Sequence, residues 1–293
     1  MSTVRPAIHR YLQIAARLPV ARALVYVAEA VRLRVVHGDK LPLRSLIADY
    51  AEWRETLKLG GQPLANSRPW LTFGATHFLE SRLERSMRVF EYGCGGSTIF
   101  LALRIGQVIS VEHDRRWSDE VTQTAAALGI RNATVLYVEA TVDSHPVGKH
   151  SGDPDAYVSS DSTFAGRTFR EYASAIDSYA DSEFEAVLID GRARPSCFKH
   201  ALRKVGPGGM MILDNAERVH YGCIQQTTAL IKAIRSFSNG IAAGAASLSS
   251  LSRNWRRPAG GIGPTPSWSA SPWSRLISRE IGSRCVIATS CPS

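Results

Sequence analysis

The sequence lacks closely spaced cysteines. Its five cysteines are far apart and form no C-x-x-C pair: Cys94, Cys197, Cys223, Cys285 and Cys291. An odd number of cysteines without that spacing argues against a structural zinc site and against a disulfide framework. We therefore expect the chain to work in a reducing, cytoplasmic compartment.

A long apolar run is also missing. A helix that spans a bilayer needs about 20 apolar residues, whereas the most apolar stretch, residues 18–36, is interrupted by Arg22, Glu29, Arg32 and Arg34. The sequence therefore predicts no transmembrane segment. Over 293 residues, 44% hydrophobic and 21% charged positions are typical of a globular protein.

The middle of the chain has no excess of positive charge, although the net charge of the whole chain is +9. Residues 1–60 hold ten Lys/Arg and five Asp/Glu, and residues 238–293 hold six Arg and one Glu. Residues 61–237 hold nineteen Lys/Arg and twenty Asp/Glu, a net of −1. A protein that binds nucleic acid concentrates its cations on the functional domain. We therefore expect no nucleic-acid partner.

Composition divides the chain into three zones. Residues 1–60 carry apolar residues at helical spacing and predict a helical extension. Such an extension packs on the neighbouring domain or on a second copy, or lies on a membrane surface. Residues 61–237 predict the main domain. Residues 238–293 are rich in Ser, Gly and Arg and predict a poorly ordered tail, in which only Cys285–Thr289 resembles a strand.

Short apolar runs in the middle zone predict five strands, at residues 88–92, 108–111, 134–138, 186–189 and 210–213. Helical patterns separate them. This succession predicts a doubly wound, mostly parallel, Rossmann-like α/β sheet with helices on both faces. Such sheets bind their ligands at the carboxyl ends of the strands.

A glycine-rich turn, E-Y-G-C-G-G-S-T at residues 91–98, follows the first predicted strand. Glycines allow a tight turn and a close approach of a ligand, and the start of the next helix supplies N–H donors. The turn lacks the third glycine of the dinucleotide fingerprint, so a nicotinamide dehydrogenase is disfavoured. Glu112 ends the next strand nineteen residues after Gly93, a spacing at which a carboxylate reaches a ribose.

These residues resemble the cofactor loop of the class I S-adenosylmethionine-dependent methyltransferases. Over about residues 65–237, the motifs V-E-H-D, I-D-G-R-A-R and L-D-N-A-E-R add a similarity to a bacterial methyltransferase-like group. The resemblance implies S-adenosylmethionine as cofactor. It implies that its methionine part is surrounded by the turn: Glu91, Gly93, Gly95, Gly96, Ser97 and Thr98. Glu112 would hold the ribose, and the adenine would lie near His113, Glu139 and Ala140.

Two later strand ends carry further polar residues, Asp190 and the pair Asp214-Asn215. Neighbouring strands should bring these side chains together, and their oxygens suit Mg²⁺. The set resembles the metal site of catechol-type O-methyltransferases, but Ala193 stands where those enzymes have a lysine base. Structural alternatives are a polar residue at the switch point and a helix cap.

Arg192 and Arg194 flank that alanine and suggest a clamp for a carboxylate or phosphate. With Asp190 to orient or deprotonate the acceptor, alone or through a metal, and Arg192 as a second catalytic residue, the resemblance predicts methyl transfer to a hydroxyl. The acceptor would be a small molecule or a glycan. The insertion at residues 143–166 could form a lid or a solvated loop.

A cofactor-binding but inactive interaction module is the alternative. Class I methyltransferases close their sheet with two further strands, and residues 238–293 do not read as that pair. A changed reading frame or a divergent replacement would explain such a tail, and would leave an unpaired sheet edge.

Overall fold

A computed structural model describes most of the middle zone and short parts of both ends: residues 23–24, 26–27, 49–52, 64–71, 73–216, 218–222, 224 and, for the backbone alone, 285–289. The described positions before residue 53 are helical. Glu52, the last of these, accepts a hydrogen bond from Arg68 and lies 2.6 Å from the His77 ring. The rest of the predicted helical extension lies outside the described residues. Among the helices that are described, none has the length and apolarity needed to cross a membrane.

The described residues form strands β1 Arg88–Tyr92, β2 Gln107–Glu112, β3 Ala133–Tyr137, β4 Thr141–Val142, β5 Arg167–Thr168, β6 Phe184–Ile189, β7 Val205–Asp214 and β8 Cys285–Thr289. The α-helices are α1 Phe73–Glu80, α2 Gly96–Ala102, α3 Arg115–Ala127, α4 Arg170–Ser174 and α5 Arg194–Ala201. Single 3-10 turns occur at Ser162–Phe164, Ala175–Ser178 and Val219–Tyr221.

The main sheet has the strand order β3-β2-β1-β6-β7-β8. The first five of these strands are parallel, and β4 pairs with β5 in a separate antiparallel ladder. The order reverses between β1 and β6, so the ligand crevice of this sheet lies at the ends of β1 and β6. The predicted Rossmann-like α/β fold is confirmed.

Helices cover both faces of the sheet because successive strand residues point to opposite sides. Phe90, Tyr92 and Val187 face α4 and α5, where Tyr172 and Phe198 complete one core. On the other face, β-strand residues pack against α1 and α2: Val89, Val108, Ala186, Leu188 and Ile212. A sheet buried on both sides explains why these strands read as unbroken apolar runs in the sequence.

The far edge of the sheet differs from the expectation of an unpaired β7. Strand β8 lies antiparallel to β7, with Cys285 opposite Asp214 and Thr289 opposite Met210. The single strand-like run of the tail therefore supplies the backbone partners that β7 needs. The remainder of the predicted tail lies outside the described residues, and the change of reading frame stays a prediction.

Candidate functional site

The glycine turn after β1 is shaped by contact with the loop after β6. Gly93 has φ +92°, and a Cβ atom on it would lie 2.9 Å from Cα of Gly191. Gly95 precedes α2, where its N–H donates to Oγ1 of Thr98. A side chain at residue 93 would be strained and would push the two loops apart, so this position requires glycine.

Glu91 lies beneath this turn. Its side chain is fully buried, and Oε2 accepts hydrogen bonds from the hydroxyls of Thr98 at 2.6 Å and Ser110 at 2.5 Å. Oε1 has no protein partner among the described residues. Burial raises the pKa of Glu91 to about 7, although the three nearby hydroxyls lower it. In this conformation Glu91, Ser97 and Thr98 support the loop, and all three are buried.

Glu112 faces the turn directly. Its Oε2 accepts from the Cys94 N–H at 3.1 Å, and its Oε1 accepts from the N–H groups of His113 and Asp114. Burial alone would raise the pKa of Glu112, but these hydrogen bonds and the His113 ring hold it below its ordinary value. Glu112 is therefore a carboxylate fixed beside the glycine turn, as its position in the sequence predicts.

His113 stands under an aromatic cluster. Its Nδ1 is 2.6 Å from Oε1 of Glu112, at ion-pair distance but without the alignment of a hydrogen bond. Its ring packs edge-on against Phe164, Phe169 and Tyr172. Phe164 lies near the end of the predicted lid, Phe169 directly precedes α4, and Tyr172 lies within α4. Residues 143–172 thus cover the ends of β1 and β2.

The Tyr172 side chain is fully buried, and its hydroxyl has no protein partner among the described residues. That hydroxyl would lie 1.9 Å from a Cβ atom built on Gly191. It therefore fills the space where the turns after β1 and β6 meet. The sequence analysis did not identify Tyr172; an aromatic residue in a helix that follows a long insertion was the only available signal.

Glu139 and Ala140, predicted near the adenine, differ in their exposure and their contacts. Glu139 is exposed and accepts a hydrogen bond from the Tyr137 hydroxyl at 3.2 Å. Ala140 is buried, and its carbonyl accepts from Arg167. Neither contact reaches the glycine turn. Of the two residues, only Ala140 belongs to the hydrophobic core that borders His113 and its aromatic neighbours.

The carboxylates after β6 and β7 do converge, but on an arginine. The guanidinium of Arg194 donates to Oδ1 of Asp190 at 2.8 Å and to Oδ2 of Asp214 at 3.1 Å. It also donates to the backbone carbonyls of residues 190, 191 and 214. Burial and the adjacent Asp214 raise the pKa of Asp190 well above its ordinary value, against the opposing effect of Arg194.

This arrangement does not fit the predicted magnesium site. Arg194 already occupies the space between the two carboxylates, and a divalent cation would have to displace a buried, five-donor guanidinium. Asn215 adopts φ +53°, and its Oδ1 accepts from Arg218. The described residues contain no cluster of three or more His, Cys, Asp or Glu that could hold a metal.

The two arginines of the predicted clamp point in different directions. Arg194 points inward to the carboxylates, whereas Arg192 lies 3.1 Å from Asp161 and stacks over Phe164 at 5.2 Å. Nε of Arg192 approaches Nε2 of His113 at 3.4 Å. Ala193 between them has φ +45°, which turns the two side chains in different directions. Arg192 therefore ties the lid to the end of β2.

An open cleft of about 80 Å³ lies beside the carboxylate pair. Its walls come from the lid, the loop after β6 and the turn after β7: Ser151, Val158, Ser159, Ser160, Gly191, Arg192, Ala193, Arg194, Pro195, Arg218 and Tyr221. Residues of the glycine turn and Glu112 do not line it. The strand ends thus divide into a covered half at β1 and β2 and an open half at β6 and β7.

No family model matches this chain, and no curated protein matches it. Solved structures do. A methyltransferase-like protein from Silicibacter pomeroyi is 24% identical over 51% of this chain and 75% of its own, with a TM-score of 0.38. An rRNA methylase from Streptococcus thermophilus is 14% identical, covering 52% and 75%, with a TM-score of 0.36. A protein from Streptococcus mutans described as a methyltransferase and solved with SAH is 13% identical, covering 54% and 77%, with a TM-score of 0.33. The fold class assigned here rests on the observed strand order.

Proposed function

We propose that this chain is an S-adenosylmethionine-dependent methyltransferase of class I that acts on a hydroxyl of a small-molecule or glycan-type acceptor. The observation that carries the proposal is the 3.1 Å contact between the Glu112 carboxylate and the glycine turn. It supports a single site formed by the two parts of the chain whose motifs resemble that family.

The residues of the covered half fit such a cofactor. Gly93 and Gly191 let the two turns approach closely at the switch point because neither has a side chain. The Tyr172 hydroxyl is a buried donor without a protein partner among the described residues. Backbone N–H groups of the turn would hold the methionine part, and Glu112 would exchange its own N–H donors for the ribose hydroxyls. When bound, the cofactor supplies an electrophilic methyl group.

Binding requires a change in the lid, because Tyr172 fills the space against Gly191. We expect α4 and the preceding lid to withdraw and then to cover the bound nucleoside. Closure of this kind excludes water and aligns the acceptor with the reacting carbon. His113 and Arg192 connect the lid to the strand ends and would position it.

In the open half, Asp190 is the candidate base. Its side chain is 26% exposed, and it borders the cleft through Gly191 and Arg194. As the new C–O bond forms, the ionised Asp190 carboxylate accepts the proton of the acceptor hydroxyl. Burial and the neighbouring Asp214 raise the pKa of Asp190 well above its ordinary value. The rate of transfer is therefore expected to rise with pH as the ionised fraction grows.

Calorimetry with S-adenosylmethionine tests the cofactor site. Glu112→Gln should weaken binding about tenfold or more, because two charge-assisted hydrogen bonds to the ribose are lost. Glu139→Gln is the matched control: it removes a carboxylate predicted near the adenine that the structure leaves exposed, and its affinity should be unchanged. Equal affinity in the wild type and in Glu112→Gln would contradict the ribose assignment.

Mass spectrometry separates the enzyme from the alternative. Transfer of a methyl group to an added acceptor extract, with formation of S-adenosylhomocysteine, supports catalysis. Cofactor binding without any turnover across such extracts would favour the inactive interaction module.

A further inference from the structure

The lining of the open cleft beside α5 carries three arginines and no carboxylate. Of its three arginines, Arg194 is neutralised by the carboxylate pair and Arg192 by Asp161. Arg218 is exposed and donates to the neutral Oδ1 of Asn215. No carboxylate within the described part of the chain lies at ion-pair distance from Arg218. One guanidinium is thus directed to the cleft without a countercharge from those residues.

The surroundings of Arg218 reinforce this charge. The buried Tyr221 side chain lines the cleft. Burial raises the pKa of its hydroxyl, and the neighbouring Arg194 and Arg218 lower it. Nearby, burial lowers the pKa of His220, and Arg218, Arg194 and His150 lower it further. The same positive charges that disfavour protonation of His220 favour an anion at this place.

The remaining donors of the cleft are hydroxyls. Ser151, Ser159 and Ser160 line the cleft together with the arginines. Oγ of Ser159 accepts from the Asp161 N–H, so its own proton can be donated to a ligand. The start of α5 contributes little, because Pro195 has no N–H and the N–H groups of Ser196 and Cys197 both donate to the Ala193 carbonyl.

We propose that this cleft is a binding site for a phosphate-type oxyanion, with Arg218 as its principal cation and the serine hydroxyls as its other donors. Guanidinium and hydroxyl donors from separate segments of the chain suit a tetrahedral group with three terminal oxygens better than a planar carboxylate. The identity of the acceptor rests on the proposed methyl transfer. If that transfer holds, the acceptor is a phosphate monoester that also carries a hydroxyl group, and this hydroxyl lies at Asp190.

The test uses the full chain and inorganic phosphate, with chloride added to keep ionic strength constant. Phosphate should raise the melting temperature of the wild type in a saturable manner. Arg218→Gln should weaken the apparent affinity about tenfold or more, as expected for loss of a charged hydrogen bond. Arg203→Gln is the control, because Arg203 is exposed, pairs with Asp181 and lies outside the cleft. Its phosphate affinity should equal that of the wild type.

The absence of a saturable phosphate effect in the wild type, or an equal effect in Arg218→Gln, would overturn the site. Glycerol 3-phosphate should bind at least as tightly as inorganic phosphate, and glycerol should not bind. Failure of the ester to compete with phosphate would overturn the assignment of the acceptor class. Calorimetry with S-adenosylmethionine on the same samples keeps the two proposals distinct: phosphate binding without cofactor binding contradicts the function alone, and the reverse contradicts this site alone.

Discussion

The two halves of the crevice hold their buried carboxylates in different ways. At the ends of β1 and β2, Glu91 and Glu112 are bonded by hydroxyls and backbone N–H groups, and aromatic rings of the lid cover them. At the ends of β6 and β7, Asp190 and Asp214 share one guanidinium, and an open cleft adjoins them. Under the proposed function, the first half must change shape before it can bind a nucleoside, whereas the second is already open to a ligand.

Removal of the shared guanidinium should have the largest effect. Arg194→Met leaves the buried Asp214 and the partly buried Asp190 without their cation, and we expect the free energy of unfolding to fall by about 3–5 kcal/mol. Arg192→Met is the matched control, because its ion pair with Asp161 has side-chain exposures of 36% and 33%. That change should cost about 1 kcal/mol or less. Urea unfolding followed by circular dichroism measures both, and equal losses would break the contrast.

A second test addresses Glu91. Its pKa of about 7, against an ordinary 4.5, means that the folded state holds a proton which the unfolded state releases. Stability is therefore lost as pH rises from about 4.5 to 7, by roughly 3 kcal/mol at 1.4 kcal/mol per unit. Glu91→Gln keeps a carbonyl acceptor and cannot ionise.

The Glu91→Gln variant should be about 3 kcal/mol more stable than the wild type at pH 8, and about 1 kcal/mol or less at pH 5. Chemical denaturation at the two pH values measures the difference. A gain that is the same at both values would show that Glu91 titrates normally in the folded protein.

The contact across the switch point should give a smaller effect. Gly191→Ala places a methyl group against the Tyr172 hydroxyl and should cost about 1–3 kcal/mol through overpacking. Tyr172→Phe removes that oxygen, so the double variant should recover much of the loss in a double-mutant cycle. Gly222→Ala, where nothing lies within 4 Å of the added carbon, should stay within about 0.5 kcal/mol. Additive losses would place Tyr172 away from Gly191.

The sequence was sufficient for the parallel sheet and for the placement of Gly93 and Glu112 at its strand ends. Strand β1 matches its predicted range, and the other parallel strands differ at their ends, by up to five residues at the start of β7. Gly93 and Glu112 were identifiable because Gly93 directly follows β1 and Glu112 ends β2, and β1 pairs with β2 in parallel register. Signals of this kind are local, so sequence spacing transmits them well.

The open half could not be predicted from spacing alone. Arg194 reaches Asp190 and Asp214 only because Ala193 takes a left-handed conformation and starts α5 at that point. Left-handed geometry at an alanine is uncommon and leaves no mark in the sequence. The position of Tyr172 against Gly191 depends on how a long insertion folds back over the sheet, which is a tertiary property. The run that forms β8 could be recognised as a strand in the sequence, but its pairing with β7 could not be predicted.

A crystal structure of the chain with S-adenosylhomocysteine tests the central claim most directly. The account predicts the nucleoside between the glycine turn and Glu112, with the ribose hydroxyls on that carboxylate and the Tyr172 ring withdrawn from Gly191. A ligand bound elsewhere, or crystals grown at saturating ligand in which Tyr172 still lies against Gly191 and Glu112 keeps only its own backbone partners, would contradict it.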